Sequence, residues 1–263
     1  KNPHQNIQAE IRAKENGILA GIEEAEFFLK RHGVRILKKQ KDGIALKKNT
    51  PVFTLQASAK KILTCERTVL NLLQRMSGIA TESNKLAQKI GKNKFAATRK
   101  TQWGLLDTKA VVIGGGLPHR LHLADMILIK ENHLAVDPNC WQQIESAQKC
   151  NSDFFEIEAD SAKFAIKIAT HFSDPTLKHG VNTRTQLILM LDNFTPSQLC
   201  KLIPKLRQIN PKIILEASGG ITRHNAKKYL NTRVDYVSLG EITHSAKVLD
   251  FSLFLLKSKY VGR

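Results

Sequence analysis

TRKTQWGLLDTKAVVIGGGLPHRLHLADMILIKENH, residues 98–133, sets the reading of the whole chain. The apolar run Phe95 to Ala97 leads into Thr98, Arg99 and Lys100, the triple glycine Gly114 to Gly116 leads to His119 and Arg120, and the apolar segment Met126 to Ile129 ends in Lys130. A single basic residue after a strand is usually just solvated. Basic positions at three successive element ends form one positive cup if those ends converge. Such a cup suits a small molecule with more than one carboxylate or phosphate, because guanidinium and ammonium groups make charge-assisted hydrogen bonds to both.

Downstream the rhythm repeats. Phe154 to Ile157, Leu187 to Leu191, Ile213 to Leu215 and Tyr236 to Leu239 are short apolar runs. Helical stretches at Trp141 to Lys149, Ser161 to Ala169, Pro196 to Leu206 and Arg223 to Leu230 intervene. Strand and helix in alternation imply parallel strands joined by right-handed crossovers. Pattern alone leaves the sheet open or closed. A barrel is favoured because a polar residue or glycine follows each strand: Arg99, Lys130, Glu158, Asp192, Ser218-Gly219-Gly220 and Gly240. That is the face on which barrel enzymes assemble their sites.

Upstream the pattern differs. Ile7, Ala9 and Ile11 alternate as a strand, Ile22 to Leu29 form a helical face that stops near Gly33, and Val34 to Leu37, Ile44 to Leu46 and Val52 to Leu55 are short strands. From Ala57 to Ile90 apolar residues recur at three- and four-residue steps, with Ser77-Gly78 read as a break in the helix. The expected architecture is α/β: an N-terminal α/β sandwich-like domain over residues 1–92, then an incomplete α/β barrel over 93–263, whose last helix returns to the first domain.

A chain of 263 residues can bury a substantial core. Its formal charge of +18 raises nucleic acid as a partner, yet the surplus is spread along the chain and aromatics are only 6%, which argues against a stacking platform. Cys65, Cys140, Cys150 and Cys200 lack zinc or redox spacing and read as reduced, mostly buried thiols of a cytoplasmic protein. No apolar run approaches the roughly 20 residues of a membrane span. The opening KNPHQ is no signal peptide, and the absent initiator Met suggests a missing N-terminal piece.

TRKT, GGG-x-x-HR, LIK followed by an acidic residue and NH, ERTVLNLLQRMSGIAT (66–81), EIE (156–158), LMLDN (189–193), EASGGIT (216–222) and LGEITHSAKVLD (239–250) occur in an order that resembles quinolinate phosphoribosyltransferase. The likeness runs from about Ile11 to Leu255. It implies a decarboxylating phosphoribosyl transfer to quinolinate from phosphoribosyl pyrophosphate in NAD biosynthesis, with Mg2+. Thr98, Arg99, Lys100, His119, Arg120 and Lys130 would bind the diacid, joined by Arg67 from the other subunit of a homodimer. Glu158 and Asp192 are strand-end carboxylates, and the resemblance turns them towards the ribose and its metal. Lys130, Glu158 and Asp192 would then carry the catalysis. Ser218, Gly219 and Gly220, followed by a helix, read as a phosphate cradle, with Gly240 beside it. Glu156 sits one layer deeper, and His244 and Ser245 stand behind the site. The chain departs from the family pattern at Gln102-Trp103-Gly104-Leu105-Leu106, at Glu131, and at Glu241, which is expected to point away from the phosphate. A same-fold transferase of the molybdenum-transport-associated type, or a non-catalytic nucleic-acid-binding barrel, are the alternatives.

Overall fold

Ala9, Ile11 and Ala13 are fully buried while the residues between them are not, so β1 (Asn6–Ala13) lies with one face on a core. It is central in a four-stranded antiparallel sheet of order β12 (Phe251–Leu256), β1, β5 (Pro51–Ser58), β3 (Arg35–Lys39). A small ribbon, β2 (Gly17–Ile18) with β4 (Ala45–Leu46), accompanies it. Helix α1 (Ile22–Arg31) buries Ile22, Ala25 and Leu29, carries Glu23 and Glu24 in its first turn and ends in Lys30 and Arg31, charges that suit its dipole. Its apolar face joins Ile62, Cys65, Val69 and Leu73 of α2 (Ala59–Ile90) in one core with the sheet.

The structure is a computed structural model that describes residues 5–120, 126–136, 142, 154–173 and 186–256. The chain forms two compact units. The first comprises Lys1–Gln88, Lys100–Gly116 and Ile242–Arg263; the second comprises Lys89–Arg99 and Leu117–Glu241. The segment that returns to the first unit is a strand, not a helix: β12 pairs antiparallel with β1, Leu253 opposite Ile11.

Helix α2 runs unbroken for 32 residues through Ser77-Gly78. These small residues serve close approach instead of a break. The Ser77 hydroxyl donates to the Ala20 carbonyl and accepts from the Ala20 amide, at 3.1 and 3.0 Å. A Cβ on Gly78 would stand 1.9 Å from the Lys247 carbonyl oxygen.

A further helix, α3 (Leu105–Ile113), follows the Gln102-Trp103 departure. Its Asp107 is wholly buried and takes two 2.7 Å hydrogen bonds from Arg75. The same carboxylate accepts the Gln102 and Trp103 amides at 3.2 Å and the Thr101 hydroxyl. Arg75 also donates to the Thr243 carbonyl at 3.0 Å, and the Thr243 hydroxyl donates to the carbonyl of Lys100 at 2.8 Å. The loop carrying Lys100 is thus tied to one buried ion pair.

The second unit is a six-stranded parallel sheet of order β6 (Phe95–Ala96), β11 (Tyr236–Ser238), β10 (Ile214–Ser218), β9 (Gln186–Asp192), β8 (Phe154–Ala159), β7 (Ile127–Ile129). Leu117 bridges to Ala96 beyond β6. Among the described residues β6 and β7 form no ladder, so the barrel is incomplete. After β7 comes α4 (Glu131–Val136); α5 (Ala162–His171) is capped by Ser161, and α6 (Pro196–Ile209) by a Thr195/Gln198 capping box with proline in its first turn. Then follow α7 (Ala226–Leu230) and α8 (Glu241–His244). The helix expected at Trp141 to Lys149 lies, Gln142 apart, outside the described residues, as do Cys140 and Cys150. Cys65 is buried but Cys200 is exposed.

Burial alone would raise the Asp107 carboxyl; the hydrogen bonds from Arg75, Thr101 and the Trp103 amide outweigh it and hold the group below the usual range. A depressed folded-state pKa contributes stability that is present above the unfolded value, about 3.9, and lost as pH falls through the folded one. Asp107→Asn is therefore expected to cost about 3–5 kcal/mol at pH 7, because Arg75 is left buried and unpaired. The loss should shrink in acid, where the wild type also gives up the pair. Urea unfolding at pH 7 and pH 3 measures both.

Candidate active site

A strand turns alternate residues to one face, and this places the candidate residues before any contact is considered. Ala96, Met126, Ile188 and Tyr236 pack together in the second unit with Leu117 and Ile214. Stepping by two from this apolar floor towards the C-terminal ends leads to Thr98, His119, Lys130, Asp192, Ser218 and Gly240. All are residues singled out from sequence. Glu156 and Glu158 occupy the matching face of β8, where Glu158 and Glu216 both stand in register with Met190 of β9.

The rim pairs opposite charges. Lys130 Nζ donates to Glu158 Oε2 at 2.6 Å, joining a predicted acid-binding cation to a predicted ribose-binding carboxylate. Burial and then the nearby charge of Arg99 lower the pKa of Arg120. Its buried Nε has no acceptor, and its Nη1 reaches the Met126 carbonyl only at 3.5 Å. Two guanidinium groups held close together, one with an unused buried donor, form a socket for an anion. Lys100 belongs to the first unit, where it is exposed, and Arg67 is exposed on α2.

Across the sheet, Asp192 is half-buried and accepts from Asn193 Nδ2 at 2.6 Å. The Asn193 amide donates to the Ser218 carbonyl at 3.0 Å, which draws the ends of β9 and β10 together. Gly219 has φ +88° and Gly220 φ +61°. A Cβ on Gly219 would stand 2.7 Å from the Asn193 amide nitrogen, so both conformation and space demand glycine there. The helix expected right behind this turn starts only at Ala226 and has five residues, so the turn does not lead directly into a helix end. Glu241 is engaged by Arg223 at 2.8 Å. Glu158 and Asp192 are hard oxygen donors at neighbouring strand ends, a set that fits magnesium completed by phosphate oxygens.

Beneath the rim lies a polar layer that the sequence reading only touched. Glu156 and Glu216 are fully buried, and the His119 ring faces both, with Nε2 3.4 Å from Glu156 Oε2 and 3.9 Å from Glu216 Oε2. Tyr236 stands beside Glu216 in register on β11. Burial, then the charge of Glu216, raises Glu156 well above the usual range. Burial lowers His119, and Arg120, Lys130 and Arg99 reinforce this against the opposing pull of Glu216, leaving the ring neutral. Burial and both glutamates also raise Tyr236.

The profile described as quinolinate phosphoribosyl transferase, C-terminal domain, matches residues 79–254, and the N-terminal domain profile matches residues 1–77. The chain belongs to the quinolinate phosphoribosyltransferase family. It is 36% identical to the probable nicotinate-nucleotide pyrophosphorylase (carboxylating) of Archaeoglobus fulgidus over 97% of this chain and 96% of that protein. With the Mycobacterium leprae enzyme of the same name it shares 36% identity over 92% of this chain and 84% of that one. The nicotinate-nucleotide pyrophosphorylase structure from Francisella tularensis superposes with a TM-score of 0.81 at 30% identity, covering 97% of this chain and 88% of that one.

Within this quinolinate phosphoribosyltransferase chain, Glu216 is the buried site residue that the sequence reading passed over. It lies inside EASGGIT, and the signal for it is its parity, two residues before Ser218. His244 and Ser245 are exposed and bonded to each other at 2.5 Å in the first unit. The side chain of Glu131 lies outside the described residues.

Gly219→Ala would force a side chain into left-handed backbone and against Asn193. The transferase rate should fall by about 100-fold, the scale of a 1 Å misplacement near reacting groups. Steady-state assay of this variant with a thermal melt checks that the loss is local.

Proposed function

We propose that this chain joins quinolinate to phosphoribosyl pyrophosphate, releasing pyrophosphate and carbon dioxide and forming nicotinate mononucleotide for NAD biosynthesis. The observation that carries the reading is the rim of the parallel sheet, where Lys130 meets Glu158, Arg99 and Arg120 lie near each other, and Asp192 stands in register with Ser218 of the Ser218-Gly219-Gly220 turn. Cations suit a diacid, and carboxylates with backbone amides suit a sugar diphosphate.

In this mechanism Arg99, Arg120 and Lys130 hold the two adjacent carboxylates of the pyridine ring. The ring nitrogen faces C1 of the ribose. Glu158 and Asp192 accept hydrogen bonds from the ribose hydroxyls and would hold magnesium, directly or through water; when bound, the ion offsets the charge of the departing diphosphate. The C1–O bond breaks as the C1–N bond forms, and the ring nitrogen becomes quaternary. The C–C bond to the neighbouring carboxylate then breaks, carbon dioxide leaves, and the electron pair stays on the carbon beside the positive nitrogen until it takes a proton. The protein's contribution is orientation and charge stabilisation, and no protein nucleophile is required.

Arg67 completes the site from the other subunit of a homodimer. It is exposed on α2, one turn after Leu63, an apolar side chain 54% exposed and suited to burial against a partner.

A turnover assay with phosphoribosyl pyrophosphate, magnesium and either quinolinate or nicotinate tests the chemistry. One carboxylate leaves a buried cation unpaired at a cost of about 2–5 kcal/mol, so nicotinate should react at least about 30-fold more slowly. Equal rates would contradict the reading. For the dimer, inactive Arg67→Ala and inactive Lys130→Ala are mixed and allowed to exchange subunits. Half the dimers become mixed and each gains one intact site, so about a quarter of wild-type activity should return. No recovery despite demonstrated exchange would place Arg67 outside the site.

A further inference from the structure

The rim accounts for Lys130, Glu158 and Asp192, yet the mechanism uses neither Glu156 nor Glu216. Placing two carboxyl groups in a barrel interior is costly unless they are matched; the two lie against each other, with Tyr236 beside Glu216. Facing both is His119, a non-glycine residue held at φ +54° with its side chain only 7% exposed. A left-handed backbone persists in such a residue where its surroundings over-determine it.

The ring's hydrogen bonding identifies that constraint. The backbone amide of Arg120 donates to His119 Nδ1 at 2.8 Å. Nδ1 is therefore bare, and the ring hydrogen lies on Nε2, the nitrogen turned towards Glu156 and Glu216. A cation on the same three groups, whose ligand atoms all lie within 4.8 Å of one another, would need Nε2 bare as well. The ring would then have to be an imidazolate or give up Arg120. The proton-bearing arrangement is the one that the backbone supports.

We propose that Glu156 and Glu216 are positioning residues that act through His119 on Arg120. The Nε2 hydrogen faces the carboxyl pair, 3.4 Å from Glu156 and 3.9 Å from Glu216, and the attraction of their oxygens for it holds the ring's orientation. The ring's other nitrogen fixes the Arg120 peptide, and that peptide aims a guanidinium whose buried Nε still lacks an acceptor. The grip on the acid substrate then depends on two residues buried below it. The inference rests on the function proposed above, since it takes Arg120 to be a contact of the diacid.

Two measurements test it. In wild-type protein labelled with 15N-histidine, the His119 signal, assigned by its absence in His119→Gln, should show a protonated Nε2 and a bare Nδ1. A protonated Nδ1 or an averaging ring would overturn the proposal whatever the enzyme's substrate. In kinetics, Glu156→Gln and Glu216→Gln should each raise KM for quinolinate about tenfold, as expected when a charged contact is misplaced and not deleted. KM for phosphoribosyl pyrophosphate should stay within about twofold, the signature of action on one substrate's contact only. His119→Asn suits the left-handed backbone and keeps an acceptor near Arg120 but lacks Nε2; on that background, Glu216→Gln should add almost nothing. Additive losses, an unchanged quinolinate KM, or equal losses for both substrates with a lowered Tm would sink the idea. Failure of wild type to use quinolinate would sink the functional reading instead and leave the tautomer measurement to judge the hydrogen bonds.

Discussion

The two-residue period of a β-strand is the constraint from which this site follows. When six parallel strands turn alternate side chains into one interior, each strand contributes a ladder whose rungs lie at fixed depth. Residues two apart share a direction but not an environment. On β8 the step from Glu156 to Glu158 separates a wholly buried carboxyl group from one that reaches Lys130 at 2.6 Å. On β10 the step from Ile214 through Glu216 to Ser218 passes from apolar floor to buried acid to the glycine turn. The same arithmetic fixes which residues can meet a ligand and which can only hold those that do.

Depth also decides the electrostatics. Near the rim, water and ligand screen the charges, and cations and carboxylates pair. Below it, desolvation is the largest influence on Glu156, His119 and Tyr236, and in each case it favours the neutral form. In the first unit the buried Arg75–Asp107 pair shows the other solution, in which both charges are kept and every oxygen is given donors.

The barrel and its rim were legible because they rest on periodicity and on residue types at strand ends. Depth was legible only in part: Glu156 could be ranked below Glu158 by counting, but its meeting with Glu216 and His119 depends on how the sheet curls and on the bridge of Leu117 to Ala96, which no local pattern encodes. Ser77-Gly78 misled for a related reason. Small residues in a helix signal either weakness or contact, and here Ala20 and the Lys247 carbonyl make it contact. The chain's last segment was expected as a helix because a short apolar run carries no period, and the partner that makes Leu253 to Leu255 a strand, β1, lies more than 240 residues away in sequence.

The central claim is that the rim has two halves, a cationic one for the acid and a carboxylate one for the sugar diphosphate, joined at Lys130 and Glu158. Calorimetric titration of each ligand onto variants of each half tests it most directly. Lys130→Ala and Arg120→Ala should weaken quinolinate far more than phosphoribosyl pyrophosphate with magnesium, and Glu158→Gln and Asp192→Asn should do the reverse. An inverted pattern, or equal weakening of both ligands by every variant, would contradict the account.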